Sequence, residues 1–234
     1  MGTLSNEKGK CFICKEEFGK IAMKNHLVKV HNKNNDNENN DNENKFLIRV
    51  EAFFNKDYWL YIQVHEDAVL KDIDIFLRNI WLECCGHLSM FEINDNFYES
   101  ETEKTSINLF GRKREDMRKT RVKNALEVGD TFRYDYDFGS TTRLQLKVID
   151  KISCNNTKEK VTLLARNNMK IYQCEECGEK GKYFSMKDDW TPPIFLCEEC
   201  ALKKEYEEYY VVDIVNSPRM GVCDYIGARD IYSL

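Results

Sequence analysis

Two cysteine pairs near the C-terminal end provide the clearest chemistry in this sequence. Cys174 and Cys177 are separated by two residues, and after nineteen further residues Cys197 and Cys200 repeat that spacing. Because each pair can present two thiolates from one tight turn, the four cysteines can complete the tetrahedral coordination of Zn²⁺. The spacing therefore predicts a zinc-ribbon-like module. Unligated or disulfide-bonded cysteines are the alternative.

A second set of metal-ligand residues lies near the N terminus. The residues with this spacing are Cys11, Cys14, His26 and His31. A turn would present both thiolates, and a helix would present both imidazoles about one turn apart. Residues 11–31 resemble the zinc-finger family with two cysteine and two histidine ligands. The resemblance implies a ββα unit with Phe18 and Met23 in its small apolar core.

The finger carries several lysines and raises the question of nucleic-acid binding. Docked on DNA, its helix would present Gly19, Ala22 and Asn25 to the bases. Glycine and alanine offer almost no base recognition, so we expect contact with phosphate or with a protein. A second basic stretch runs from Arg112 to Lys123, and a solvated surface is its alternative interpretation. The candidate nucleic-acid-binding residues are Lys20, Lys24, Asn25, Arg112, Arg114, Arg118 and Arg121.

The stretch after the finger, Asn32 to Asn44, has no apolar residue. Such a segment cannot bury surface, so we expect a flexible linker that lets the finger move independently. The predicted domains are a finger over 1–31, an Asn-rich disordered linker over 32–45, an α+β domain over 46–170, and a four-cysteine module with its tail over 171–234.

The elements that must hold these sites centre on the stretch from Thr131 to Asp150. Phe132, Tyr134, Tyr136 and Phe138 alternate with charged residues, and after a turn at Gly139 the alternation resumes. A period of two predicts two antiparallel strands with the aromatic face inward.

Further strands and a helix are predicted around this hairpin. Strands are expected over 46–52, 58–64, 88–93, 161–165 and 209–214, with a polar connection over 97–106. Apolar residues at helical spacing predict a helix between an N-cap at Asp67 and a stop at Gly86, lying on the aromatic face. The fold class is therefore α+β, with a central, mostly antiparallel sheet and a packed helix. An N-terminal ββα zinc finger sits on a flexible linker, and a C-terminal zinc-ribbon-like module follows.

Composition excludes several classes of protein. The net charge of −5 and pI of about 5.6 provide no overall basic field. The first ten residues lack the apolar core of a signal peptide, and no apolar run approaches the roughly 20 residues of a membrane span. We expect a cytoplasmic protein in which the ten cysteines bind metal rather than form disulfides.

Two groups of residues could support catalysis. Cys84, Cys85 and His87 are the nearest approach to a thiol with a base, although residues two apart at a helix end rarely point together. A core position or an auxiliary metal site is the alternative. Asp135 and Asp137 share one strand face, but solvated strand carboxylates are far commoner than paired catalytic ones. No glycine-rich phosphate-binding motif occurs.

Several stretches together are similar to the Ri-plasmid ORF-3-like family. They run from Ile80 to Phe91, from Tyr134 to Thr142, from Leu163 to Asn167 and from Asn216 to Cys223. The likeness covers roughly residues 46–226, in a branch with a C-terminal cysteine-pair module, and it implies an α+β domain with no established activity. Many members follow the glycine of Tyr-Asp-Phe-Gly with an aspartate, where this chain has Ser140. Family members beside mobile elements suggest nucleic-acid handling by association only.

These observations predict a non-enzymatic, zinc-binding interaction protein with two zinc ions. The leading hypothesis is contact with DNA or RNA through phosphate, with weak sequence dependence. The alternative is a protein–protein adaptor, and a metal-dependent or thiol enzyme using Asp135/Asp137 or Cys85/His87 is third. We expect no membrane contact and identify no small-molecule substrate.

Overall fold

A computed structural model describes residues 8–32, 45–100, 114–152, 158–188 and 190–228. Its contacts divide the chain into two units. Of the described residues, those within 8–78 and 86–167 form the sheet unit, and those within 79–85 and 168–228 form the ribbon unit. The predicted linker lies almost entirely outside the described residues.

The sheet unit contains ten strands in one sheet, and the mixed α+β class with a large, mostly antiparallel sheet is confirmed. The strand order is β2-β1-β10-β4-β3-β9-β8-β5-β6-β7, and only β6–β7 is parallel among these pairs. The strands are β1 Lys8–Cys11, β2 Glu17–Gly19, β3 Lys45–Ala52, β4 Trp59–His65, β5 Ser89–Ile93, β6 Asn96–Glu99, β7 Arg114–Asp116, β8 Thr131–Tyr136, β9 Thr142–Ile152 and β10 Val161–Asn167.

The central hairpin forms as predicted from β8 and β9. Tyr134 pairs with Leu144, and Phe132 pairs with Leu146. Phe132, Tyr134 and Tyr136 are buried because alternation places them on one face of the strand. Phe138 lies beyond the end of β8 and is half exposed, so the alternating pattern ends before it.

The helix on this face is shorter than predicted. Helix α2 spans Leu70–Leu77 and continues as a five-residue π-helix, Arg78–Leu82. It begins after Val69 rather than at Asp67, because Asp72 Oδ2 accepts a hydrogen bond of 2.8 Å from the Val69 N–H. The predicted stop at Gly86 is four residues too late. The hydroxyl of Tyr134 donates to Asp74 of α2 at 2.6 Å, so α2 does pack on the aromatic face.

The expectation that the finger moves independently of the core is wrong. Strand β1 pairs with β10, with Gly9 opposite Asn167 and Cys11 opposite Ala165. The finger helix α1, Lys20–Val30, buries Met23 and Leu27 completely. These side chains belong to an apolar cluster that also contains Leu47, Trp59, Tyr61, Ile152 and Leu164. The finger hairpin is therefore an extension of the central sheet.

One other expectation about the sheet unit needs correction. Residues 97–99, expected in a polar connection, belong to β6, which pairs with β5. Strand β10 does continue the sheet, but it lies between β1 and β4 and includes Asn167. The Asn167 side chain accepts a hydrogen bond from the Trp59 N–H at 3.0 Å. Helix α3, Val122–Ala125, completes the unit.

The ribbon unit contains a three-stranded antiparallel sheet in the order β12-β11-β13. Its elements are β11 Tyr183–Met186, β12 Ile194–Leu196, helix α4 Glu198–Ala201 and β13 Tyr210–Asp213. Tyr172 stacks on Phe195 with ring centroids 3.9 Å apart, beside buried Phe184 and Ile214. Across the described segments of both units, every helix is too short or too polar to cross a membrane.

Candidate metal centres

The N-terminal ligand set converges as its spacing predicts. The ligand atoms of Cys11, Cys14, His26 and His31 all lie within 4.8 Å of one another. Cys14 Sγ is 3.2 Å from His26 Nε2. His31 Nε2 is buried and makes no hydrogen bond with the described residues. An imidazole nitrogen buried without a partner is costly, and coordination of a metal would satisfy it.

Backbone hydrogen bonds hold the first cysteine turn in shape. The Cys11 N–H donates to the Glu16 carbonyl at 2.8 Å, and the Lys15 N–H donates to the Cys11 carbonyl at 2.8 Å. Lys15 has a φ of 69°, in the left-handed region. A lysine there is strained relative to glycine, so the turn keeps this shape at a conformational cost.

The C-terminal set begins with a turn of the same construction. The Cys174 N–H donates to the Glu179 carbonyl at 2.7 Å, and the Gly178 N–H donates to the Cys174 carbonyl at 2.9 Å. Gly178 has a φ of 79°, which glycine adopts without strain. The two cysteine turns therefore share both hydrogen bonds and the left-handed position, and they differ in the residue that occupies it.

The second pair of this set lies at the start of α4. Cys197 is the N-cap of the helix, and its Sγ accepts a hydrogen bond of 3.4 Å from the Cys200 N–H. Cys177 Sγ lies 3.6 Å from Cys197 Sγ. Zn–S bonds of about 2.3 Å in a tetrahedron place two sulfurs about 3.8 Å apart. The spacing of the sulfurs therefore fits a shared zinc ion.

Local hydrogen bonding favours ionisation of one thiol in this set. Burial raises the pKa of the Cys174 thiol, but hydrogen bonds from the backbone of Cys177, Cys197 and Glu176 lower it to about 6. Because the thiolate is the metal ligand, Cys174 is prepared for coordination near neutral pH.

A third group of thiols occurs in the ribbon unit. Cys85 Sγ lies 3.3 Å from Cys223 Sγ and 3.5 Å from Cys84 Sγ. The sequence placed Cys84 and Cys85 at a helix end and left Cys223 unassigned. Cys223 is 138 residues from Cys85, so sequence spacing gave no signal that Cys223 joins the cysteines for which an auxiliary metal site was one interpretation.

Comparison with protein-family models identifies the family of this chain. The family model described as plasmid pRiA4b ORF-3-like protein matches residues 44–209. This chain belongs to that family. The matched residues include the four cysteines of the ribbon unit, whereas the N-terminal finger lies outside them. The tail from Asn216 to Cys223, whose residues also resemble the family, lies outside the match as well.

Other comparisons add little to the family assignment. No curated protein matches this chain. Among solved structures, a protein of unknown function from Methanosarcina mazei Go1 is similar, with 15% identity and a TM-score of 0.45. The likeness covers 58% of this chain and 76% of that chain.

In this member of the pRiA4b ORF-3-like family, the two candidate catalytic aspartates are buried, whereas solvated carboxylates were expected. Asp135 is buried and accepts hydrogen bonds from Arg143 at 2.8 and 3.1 Å. Asp137 is also buried, and its Oδ1 accepts from the Gly139 N–H at 3.0 Å. Its Oδ2 lies 3.6 Å from His87 Nε2. Within the described segments, neither aspartate belongs to a group of potential metal ligands.

The predicted phosphate-binding arginines are engaged with carboxylates. Arg114 lies 3.3 Å from Glu99, and Arg118 forms three side-chain hydrogen bonds of 2.8–3.0 Å with Asp116. Arg121 and Lys123 both contact Asp67, at 3.3 and 2.7 Å. Three carboxylates therefore offset part of the positive charge of these four side chains. Arg112 lies outside the described residues.

The finger residues proposed for nucleic-acid contact differ among themselves. Lys20 Nζ lies 2.5 Å from Glu51 Oε1 and also donates to the Lys56 carbonyl at 3.1 Å. Lys24 is partly exposed, and Asn25 is exposed. Lys20 is thus used in docking the finger, because Glu51 is in β3 and Lys56 is in the turn that follows it.

Sequence reasoning missed one buried polar centre, at Asp74. This carboxylate has no exposure and accepts hydrogen bonds from Lys71, Ser89 and Tyr134. Burial raises its pKa, but the Arg78 guanidinium and these hydrogen bonds outweigh burial and leave the pKa below its usual range. Asp74 ties α2 to β5 and β8, so its role is to fix the helix on the sheet.

Proposed function

We propose that this protein is a non-enzymatic, zinc-binding interaction protein. The observation that carries the proposal is that each of two ligand sets provides four protein ligands. The two sets are Cys11/Cys14/His26/His31 and Cys174/Cys177/Cys197/Cys200. Four protein ligands close a tetrahedral zinc site, whereas catalytic zinc sites keep one position open for water or substrate. Closed sites favour a structural role for both ions. We also propose that the protein is located in the cytoplasm, because cysteines stay reduced there and remain available as zinc ligands.

The partner proposed here is a protein. The arginines Arg114, Arg118 and Arg121 pair with carboxylates, and the chain is acidic overall. In the ribbon unit, Trp190 is 93% exposed. Asp188 Oδ1 accepts hydrogen bonds from the N–H groups of Trp190 and Thr191, at 2.9 and 2.7 Å. An exposed tryptophan in a hydrogen-bonded turn is suited to anchor a protein interface.

Phosphate contact with DNA or RNA is the second candidate, and the lysines of the finger favour it. Lys8, Lys10, Lys15 and Lys29 are exposed, with Lys24 and Asn25 beside them. Binding by these residues would be weakly sequence-dependent and would weaken steeply as salt increases.

Affinity capture with the full chain separates the two candidates. The bait is wild type, Trp190→Ala, or a charge variant with Lys8, Lys10, Lys15 and Lys29 changed to Gln. We expect a partner that resists nuclease, survives the charge change and is lost with Trp190→Ala. Leu202→Ala, at an apolar residue that is 83% exposed in the same unit, is the matched control and should retain it. Salt-sensitive binding to RNA or DNA that is lost in the charge variant would replace this proposal with the second candidate.

The zinc part of the proposal has its own measurement. Elemental analysis of purified protein should show that Cys11→Ser and Cys174→Ser each lose one zinc relative to wild type. A wild-type chain without zinc, prepared under reducing conditions, would contradict the proposal.

A further inference from the structure

The C-terminal tail is fixed against the segment that follows α2. Ser217 Oγ donates to the Trp81 carbonyl at 2.6 Å, and the Arg219 N–H donates to Ser217 Oγ at 2.9 Å. Ser217, Arg219 and Tyr225 are almost completely buried. These contacts belong to the ribbon unit and hold residues 217–225 beside residues 80–85. The tail is therefore an ordered, packed part of this unit.

The backbone of the tail is strained at its cysteine, which follows a glycine that tolerates no side chain. Gly221 has a φ of 76°, and a Cβ at that position would clash with the Phe184 ring. Cys223 itself has a φ of 52°, which is uncommon for a residue other than glycine. Such strain persists only where surrounding contacts impose it. In this conformation the Cys223 side chain lies beside Cys84 and Cys85.

The sulfurs of this group lie at nonbonded distances that one shared ion can bridge. The Cys85–Cys223 distance of 3.3 Å and the Cys84–Cys85 distance of 3.5 Å are far longer than the disulfide bond of about 2.05 Å. They resemble the 3.6 Å between Cys177 and Cys197 in the four-cysteine set. All three sulfurs lie within 4.8 Å of one another. One ion can therefore contact all three.

The surroundings suit a cluster of thiolates. Arg219 is fully buried, and its Nη2 lies 3.5 Å from Cys84 Sγ. A guanidinium at this distance offsets part of the negative charge that three thiolates bring to one ion. Cys85 and Cys223 are exposed, and Cys223 borders a cavity of about 290 Å³ that Asp188, Tyr210 and Asp224 also line. An ion can therefore reach the sulfurs from solvent.

We propose that Cys84, Cys85 and Cys223 form a third zinc site, which fastens the tail to residues 80–85. Three thiolates are sufficient to bind zinc, and they leave one tetrahedral position for a fourth ligand. This site goes beyond the proposed function, which rests on the other two ligand sets. Because it has three thiolate ligands and two of them are exposed, its ion exchanges faster than the ion of the four-cysteine set, in which one of four cysteines is exposed.

Metal content of the full chain tests the third site. Wild-type protein purified under reducing conditions should contain three zinc ions, and Cys85→Ser and Cys223→Ser should each contain two. Asp224→Asn is the matched control, because it changes the residue beside Cys223 without removing a thiol, and it should retain three. A slowly increasing excess of chelator should remove one ion early from wild type and none early from Cys223→Ser.

Other outcomes would overturn the proposal. Two ions in wild type and in both serine variants would remove the third site while leaving the proposed function intact. A Cys85–Cys223 disulfide, found by mass spectrometry after thiol blocking of freshly purified protein, would assign these cysteines to redox chemistry instead. If either serine variant unfolds, the number of zinc ions in wild-type protein still tests the proposal, because three ions support the third site and two contradict it.

Discussion

The two cysteine turns of this protein are alike in their backbone and different in their support. In both, the first cysteine N–H donates to the carbonyl five residues later, and its carbonyl accepts from the N–H four residues later. The finger turn begins at Cys11, the last residue of β1, and β1 pairs with β10 of the large sheet. The ribbon turn belongs to a unit whose described residues form one sheet of three short strands.

The apolar clusters around the two turns show how differently each turn is stabilised. Around Cys11, Met23 and Leu27 pack with side chains of the sheet, including Trp59 and Tyr61. Around Cys174, the buried cluster contains Leu196 and Tyr206 together with Cys200, so that half of it consists of the ligands. The same ligand turn can thus be stabilised mainly by apolar packing or mainly by its metal. We therefore expect the finger to survive loss of its ion and the ribbon unit to unfold.

Substitution of ligands should give the largest difference between the two regions. Cys174→Ser removes a ligand from a site whose zinc contributes on the order of 10–16 kcal/mol of apparent binding energy in small zinc domains. We expect the ribbon strands to become sensitive to protease. Cys11→Ser should lose its ion but leave α1 resistant, since Met23 and Leu27 remain packed. Limited proteolysis with mapping of the cleavage sites makes the measurement, and equal sensitivity of both regions would break the comparison.

Packing of the finger helix should give the next largest effect. Leu27→Ala should lower the free energy of unfolding of the sheet unit by about 2–5 kcal/mol, because the residue is fully buried against that core. Ile21→Ala, on the same helix and 71% exposed, should change it by less than about 0.5 kcal/mol. Denaturant unfolding of the full chain measures both. Similar small effects would mean that the finger is not docked.

The left-handed residue of each turn should give the smallest effect. Gly178→Ala should destabilise the ribbon unit by about 1–2 kcal/mol, because its φ of 79° disfavours a side chain even though a Cβ would meet no neighbour. Lys15→Gly should cost nothing, since glycine relieves the strained φ of 69°. Lys10→Gly in β1 is the control, with an expected loss of about 0.5–1 kcal/mol. A comparable loss with Lys15→Gly would contradict the proposed strain.

Patterns with a fixed period or spacing were sufficient to predict much of the molecule. The alternating aromatic residues of β8 predicted the central hairpin, and the ligand spacings predicted both four-residue groups. These signals work because strand alternation and metal geometry act over short stretches of chain. The helix on the aromatic face was also predicted, but its start was misplaced because Asp72, three residues inside, caps the N–H of Val69.

Long-range contacts were not predictable from one sequence. The strand sequence of β1, Lys-Gly-Lys-Cys, has no apolar alternation, and its partner β10 lies about 150 residues later. The polar stretch after the finger indicated independence, although Met23 and Leu27 were already available to pack elsewhere. To predict that Cys84, Cys85 and Cys223 lie together, one must know where the C-terminal tail runs, and no local sequence pattern indicates this.

Hydrogen exchange of the full chain, with and without its metal, tests the central difference most directly. The protein is stripped with chelator under reducing conditions and compared with the untreated chain by mass spectrometry. We predict that amides of β11, β12 and β13 lose their protection, while those of β10 and of α1 around Leu27 retain it. Equal loss of protection in α1 and in the ribbon strands, or unchanged protection in the ribbon strands, would contradict this account.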